Sequence, residues 1–196
     1  MSLMKENGQE IYVRYLTAAS GPELRGTLLA SSRVPHKFDI GAVYNQTVES
    51  KGDLLGESLL PLQRELVVDI DMNDYDEIRT CCQGKKVCPS CWLFIAVAAK
   101  VLHNALTKHF GYHSLLYVFS GRRGLHIWAS DDTAKSLQNS TRSALIAYLT
   151  IFNNSNLPGR LDQSQYQMET LTIIKQYWTR VLRSQDFFYK SERARQ

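Results

Sequence analysis

A chain of 196 residues with 44% hydrophobic and 21% charged side chains is long enough for one good core, has ordinary soluble globular composition, and holds no internal repeat or low-complexity tract. Its net charge of +4 permits a polyanionic partner without requiring one. The residues read as free of any apolar run near the ~20 needed to cross a bilayer, and Met1–Glu6 lacks a signal-peptide core, so an intracellular, reducing location with cysteines kept as thiols and no membrane partner is expected.

In chain order, residues 10–16 form a short β-prone run, with Tyr12 and Arg14 on one face. Ser20-Gly-Pro-Glu23 opens a turn, and a helix is expected over 23–32. Residues 35–44 read as another strand, in which Asp39 stands between Phe38 and Ile40. Residues 45–61, with two glycines, read as a loop or weak hairpin. Leu66-Val-Val-Asp-Ile-Asp71 then alternates as a core strand. Leu66, Val68 and Ile70 share one face; Val67, Asp69 and Asp71 share the other. Helix follows over about 90–110, with Ser90 as candidate N-cap, a buried stripe of Trp92, Ile95, Ala96, Ala99, Leu102, Leu106 and Phe110, and Gly111 as its stop. Strands are expected at 114–119 and 124–129, and a helix after Ser130-Asp131-Asp132 with Leu137, Thr141, Ala144, Leu145, Tyr148, Leu149 and Phe152 inward. A last helix from Gln165 to about Tyr189 is expected to bury Leu171, Ile174, Trp178, Val181 and Leu182. The order suggests an α+β unit with a mostly antiparallel sheet flanked by helices. Lone helical histidines, His103 and His109, receive no role.

Three constellations carry chemistry. Asp69 and Asp71 project side by side, their Cβ atoms roughly 6–7 Å apart for a strand rise of about 3.3 Å; two such carboxylates repel unless a cation or proton intervenes. A solvated strand end is the plain alternative, and the apolar context favours a metal site. The D-x-D-x-N run fails as a calcium loop, since Asp74 stands where Gly is needed and Thr80 where Glu is needed. All four cysteines fall within Cys81-Cys82-x5-Cys88-Pro-Ser-Cys91. The C-x2-C pair on a turn before a helix, with Cys81-Cys82 and Gly84 supplying the rest, suits a closed, structural zinc site. A redox pair and fortuitously clustered thiols are the alternatives. Lys85 and Lys86 would help hold thiolates deprotonated. In Ser120-Gly-Arg-Arg-Gly-Leu-His126 the glycines let the backbone approach a ligand, and Arg122 and Arg123 offer forked donors for phosphate oxygens, with His126 aimed from the following strand. A basic turn in solvent is the plain alternative, and the run is not a P-loop.

Taken together, Asp-Ile-Asp-Met-x-Asp-Tyr-Asp, Cys-Cys-x5-Cys-Pro-x-Cys-Trp and Phe-Ser-Gly-Arg-Arg-Gly-x-His resemble the small catalytic subunit of archaeal–eukaryotic DNA primases, closest to the eukaryotic type. Ile-Tyr-Val-Arg-Tyr at 11–15 and Lys-Phe-Asp-Ile-Gly-Ala-Val-Tyr at 37–44 match its upstream motifs. The resemblance implies a primase-type, RRM-like palm over 1–152 with a zinc knuckle at 81–91, and a helical segment at 153–196 that begins a further part. It implies synthesis of short RNA primers on single-stranded DNA from ribonucleoside triphosphates, in the nucleus, with the primase large subunit and the DNA polymerase alpha complex as partners. Asp69 and Asp71 match the aspartates that hold catalytic Mg²⁺ or Mn²⁺. Ser120, Arg122, Arg123 and His126 match the triphosphate-binding motif. Arg14 and Asp39 fall in nucleotide-site motifs, Asp39 on the sugar side. Cys81, Cys82, Cys88 and Cys91 match the zinc ligands.

The family carries a third catalytic aspartate far downstream that no residue here matches; Asp162 and Asp186 lack its context. The chain therefore reads as a fragment with two of three metal-binding carboxylates, inactive or nearly so alone. Two other classes compete. A zinc-stabilised, non-catalytic nucleic-acid-binding module would treat the acidic strand as structural. A metal-dependent nuclease or phosphatase would use Asp69 and Asp71 but explains the Ser-Gly-Arg-Arg-Gly-x-His run less well.

Overall fold

The computed structural model describes residues 1–14, 16–30, 34–46, 60–151 and 164–185, in two compact units, Met1–Arg64 and Glu65–Gln196.

In the first unit, β1 (Ser2–Met4) pairs antiparallel with β2 (Glu10–Tyr12) around a turn where Gly8 takes φ 78°. The Glu10 carboxylate gathers the Ser2 hydroxyl, His36 Nε2 at 3.1 Å and Lys37 Nζ at 3.2 Å. Helix α1 spans Gly21–Ala30, two residues earlier than expected, because Ser20 caps it: its hydroxyl and carbonyl accept the Glu23 and Leu24 amides. β3 (Val43–Tyr44) pairs antiparallel with β4 (Pro61–Gln63); most of the loop expected between them lies outside the described residues. The strand expected over 35–44 is shorter than its pattern. Only Val43–Tyr44 and a single bridge between Ser2 and Lys37 form. Phe38 and Ile40 are more than half exposed, so alternation there has no buried face to hold it.

The second unit is built on one antiparallel sheet. β5 (Leu66–Asp71), β6 (Leu115–Phe119) and β7 (Gly124–Ala129) lie in the order β5-β7-β6. Leu66, Ile70, Ile127 and Ala129 turn to the core, and Asp69 and Asp71 turn the other way, as the alternation requires. A 3₁₀ turn over Met72–Tyr75 carries the chain out of β5 and buries Met72 completely. Helix α2 (Pro89–Asn104) covers the core face; Cys91 and Ile95 within it, and Ala105 and Leu106 in the π turn Ala105–His109 that ends it, are fully buried. Gly111, at φ 70°, lets the chain leave. The N-cap is Cys88, not Ser90, because Pro89 occupies N1. One expectation fails here: residues 89–109 are long and apolar enough to cross a membrane. Four of them are fully buried, and Trp92, Phe94, Ala98, Ala99 and Leu102 pack half-buried against the core.

Short helix α3 (Asp132–Lys135) and α4 (Asn139–Leu149) follow β7. Phe152 lies outside the described residues; Leu145 is buried as expected, but Thr141, Ala144 and Tyr148 are exposed. Their place inward is taken by Arg142, whose guanidinium donates to the carbonyls of Ala134, Lys135, Leu137 and Glu65, thereby satisfying the C-terminal carbonyls of α3. Helix α5 (Gln165–Gln185) packs along α2. Its buried residues are Tyr166, Thr170, Val181 and Gln185, while Leu171 and Trp178 are exposed. Of the residues expected inward, Val181 is buried and Ile174 and Leu182 are half-buried, while Gln185 is drawn in by polar partners, bonding to Thr80 and Ser90.

Candidate active site and cysteine cluster

Antiparallel pairing of β5 with β7 sets Asp69 opposite His126, Ile70 opposite Leu125 and Asp71 opposite Gly124. Directly opposed residues share a face, so the acidic strand and the Arg-Arg turn meet there. His126 Nε2 lies 3.3 Å from Asp69 Oδ1. Arg123 Nε donates to Asp71 Oδ1 at 2.9 Å, and that same oxygen accepts the Asn73 amide at 2.9 Å. These contacts hold the Asp71 carboxyl below its ordinary range, the Asn73 amide first, then Arg123 and the charge of Arg122. Both carboxylates remain open to solvent, with side chains 63% and 37% exposed for Asp69 and Asp71.

The turn is shaped by two glycines and a serine. Gly121 takes φ 85°, a conformation that other residues resist. Ser120 Oγ accepts the Gly124 amide at 2.9 Å and Ser120 N donates to the Gly124 carbonyl at 3.0 Å. A Cβ at Gly124 would stand 2.9 Å from the Ile70 carbonyl oxygen, so only glycine lets the two strands close here. Arg122 is exposed. Arg123 also ties the turn to the strand exit, its carbonyl accepting the Met72 amide at 3.2 Å. Ser120, Arg123 and His126 are thus brought to the edge of the acidic pair. Arg14 and Asp39 belong to the other unit, where both are exposed and Arg14 sits over the Tyr12 ring at 5.9 Å.

The four cysteines converge as well. Their sulfurs all lie within 4.8 Å of one another, with Cys88 and Cys91 3.9 Å apart. Tetrahedral zinc with Zn–S near 2.3 Å needs sulfurs about 3.8 Å apart, so the cluster fits that ion. Gly84, at φ 56°, makes the tight return between the two halves of the loop. The Cys91 amide donates to the Cys88 sulfur and the Cys88 amide donates to the Cys91 sulfur at 3.2 Å. That first contact lowers the Cys88 thiol to about 6, while its bond to Cys88 pushes Cys82 up to about 12 and burial raises Cys81. The expected help from Lys85 and Lys86 is replaced by backbone amides at the start of α2; both lysines are exposed. Among the described residues the cysteines are the group in which three or more ligating side chains converge. Asp69 and Asp71 supply two oxygen donors of the kind a hard divalent cation takes.

Two residues of the cluster's surroundings had no sequence reading. Arg79, 3% exposed, donates to Asp76 at 2.6 Å and to the carbonyls of Gly84 and Lys86 at 2.7 Å each. Its i, i+3 spacing from Asp76 was the available signal. Gln185, from the far end of α5, carries none.

Fold and site together define an α+β domain that places two carboxylates and a forked-donor turn on one sheet face and carries a four-cysteine cluster. Residues 68–193 match the DNA primase small subunit family, and the chain belongs to it. It is 41% identical over 150 residues to the DNA primase small subunit of Saccharomyces cerevisiae, covering 76% of this chain and 36% of that protein. Against the Drosophila melanogaster small subunit the identity is 44% over 150 residues, covering 76% and 34%. Against the DNA primase small subunit PriS of Thermococcus sibiricus it is 34% over 89 residues, covering 45% and 26%. The chain thus spans about a third of the length of the curated relatives it matches.

Proposed function

We propose that these residues supply the palm of a DNA primase small subunit, a nucleotidyltransferase that makes RNA primers on single-stranded DNA from ribonucleoside triphosphates. The observation that carries the reading is the β5–β7 register, which brings Asp69 and Asp71 together with Ser120, Arg123 and His126. Asp69 and Asp71 would hold Mg²⁺ or Mn²⁺. Such ions activate the attacking 3′-hydroxyl and stabilise the leaving pyrophosphate. Arg122, Arg123 and Ser120 present donors suited to the triphosphate, and His126 adds one from the strand. Arg123 bonds to Asp71, so an arriving phosphate would exchange with that carboxylate for the guanidinium. In this reading Arg14 and Asp39 contact the nucleotide, Asp39 on the sugar side, and the four cysteines hold a structural zinc. Residues 1–152 form the palm, and 153–196 begin the next part. The primase large subunit and the DNA polymerase alpha complex are the partners, in the nucleus.

Nucleotide binding to the 196-residue chain tests the reading. ATP affinity is expected to rise with Mn²⁺ and to fall at least about tenfold in Asp69→Ala; indifference to both would favour a zinc-stabilised binding module. Labelled ATP with poly-dT separates polymerisation from hydrolysis in a longer subunit, since release of labelled phosphate without chain growth would mark a phosphatase or nuclease. Because the third carboxylate that the resemblance implies has no match here, the 196 residues alone are expected to bind ATP and make no measurable primer.

A further inference from the structure

The cysteine loop has two arms. Thr80, Cys81 and Cys82 enter it, and Cys88 to Cys91 leave it into α2. Gln185 is completely buried and spans both. Its Oε1 accepts the Thr80 amide at 2.9 Å, and its Nε2 donates to the Ser90 carbonyl at 2.9 Å. Among neutral side chains, a carboxamide accepts through one atom and donates through another without rotating, so the two arms are held at a fixed separation by one planar group. Between the arms, Arg79 donates to the Gly84 and Lys86 carbonyls at 2.7 Å each and places Nη1 3.8 Å from the Cys91 sulfur. Thr80 adjoins Cys81, Gly84 lies two residues from Cys82, Lys86 two from Cys88, and Ser90 adjoins Cys91. Each cysteine therefore stands within two residues of a backbone group anchored by one of these two side chains. Burying an amide and a guanidinium is costly unless their bonds are made; here Asp76 takes the Arg79 Nε and Ser184 Oγ lies 3.4 Å from the Gln185 amide nitrogen, and the other bonds are to the loop.

We propose that Gln185 is a positioning residue for the four-cysteine cluster, locking the loop from the far end of α5 while Arg79 holds its middle. It sits 94 residues beyond Cys91. The consequence is that metal retention depends on the last turn of α5, a helix that contributes no ligand. The inference rests on the cysteines being zinc ligands, and the test keeps the two apart.

The zinc-loaded chain is challenged with a chromogenic chelator and the release rate followed. Gln185→Met keeps the shape and removes both bonds. Its release is expected to be about 10- to 100-fold faster, the usual effect of losing an outer partner of a metal site, and cobalt-substituted protein is expected to show an altered d–d spectrum. Val181→Ala loosens the same helix, where Val181 is 6% exposed, and removes no side-chain hydrogen bond. It is expected to lower Tm more than Gln185→Met does while leaving release unchanged. Wild-type release in Gln185→Met, or equal acceleration in Val181→Ala, would overturn the proposal. A chain that takes up no zinc would refute the metal reading instead. In that case hydrogen exchange decides: the Thr80 amide is expected to exchange at least about tenfold faster in the metal-free Gln185→Met chain, and unchanged protection would sink the positioning role on its own.

Discussion

The acidic sheet face and the cysteine loop, both in the second unit, are built in opposite ways. The loop's four sulfurs come from eleven consecutive residues, Cys81–Cys91, and converge through local spacing, a Gly84 return and the first amides of α2. The acidic face joins groups 52 residues apart, Asp71 and Arg123, and exists only while β5 and β7 keep register. The loop is closed, and its backbone groups at Thr80, Gly84, Lys86 and Ser90 meet the side chains of Gln185 and Arg79. The face is open, and its carboxylates meet side chains that a ligand can displace. The sulfurs are brought together by proximity in the chain, whereas the groups of the acidic face are brought together by strand pairing.

The largest expected effect separates the two outright. Asp71→Ala in a complete small subunit should lower nucleotide incorporation by about 10³-fold, since charge stabilisation by a bound cation contributes several kcal/mol and each 1.36 kcal/mol is about tenfold. Zinc content by elemental analysis should stay at the wild-type value; joint loss would show that the two regions are one. Next, Gly124→Ala forces a Cβ against the Ile70 carbonyl at 2.9 Å. It should cost about 1–3 kcal/mol in denaturant unfolding, as overpacking does, and leave the mapped reactivity of the cysteines unchanged. In the metal-free chain, a Cys88 thiol at about 6 beside a Cys82 thiol at about 12 predicts that iodoacetamide labels Cys88 first at pH 7, as peptide mass spectrometry would report; preferential labelling of Cys82 would refute the amide-capped geometry.

The smallest effect concerns acid. Asp71 titrates lower folded than unfolded, so its contribution is fully present above the unfolded value of 3.8 and is lost as pH falls through the folded one. Because the Asp71–Arg123 pair is partly exposed, salt should screen much of it. Stability of wild type against Asp71→Asn should therefore converge as pH falls below 3.8 and on through the lower folded value, and the gap at pH 6 should narrow in high salt.

Much of this fold is legible from pattern. Alternation at 66–71 and 124–129 follows from one buried face, and the spacing of the cysteines gives the cluster. What pattern misses are polar groups that go inward. Hydrophobicity places Leu171 and Trp178 inside α5, yet Thr170 and Gln185 are buried beside Tyr166 and Val181, and what Gln185 meets is the backbone of Thr80 and Ser90. Arg142 replaces Thr141 and Ala144 in α4 for the same reason, answering the open carbonyls of α3. The run at 35–44 errs the other way, alternating without anything to bury against. Arg123 reads as a phosphate donor from its neighbours, but its bond to Asp71 depends on register, which composition does not carry.

β7 is the middle strand of its sheet, and that fixes its length by parity. Side chains alternate with period two, so one residue added between Gly124 and Ala129 would carry His126 from the acidic face into the core and bring Ile127 out. The turn at 120–123 lies outside the ladder, but it carries Ser120, Arg122 and Arg123, and its length sets the register of β6 on β7. Length changes tolerated by a working site should accordingly be missing from the strand and the turn alike, a depletion that random length mutagenesis can count.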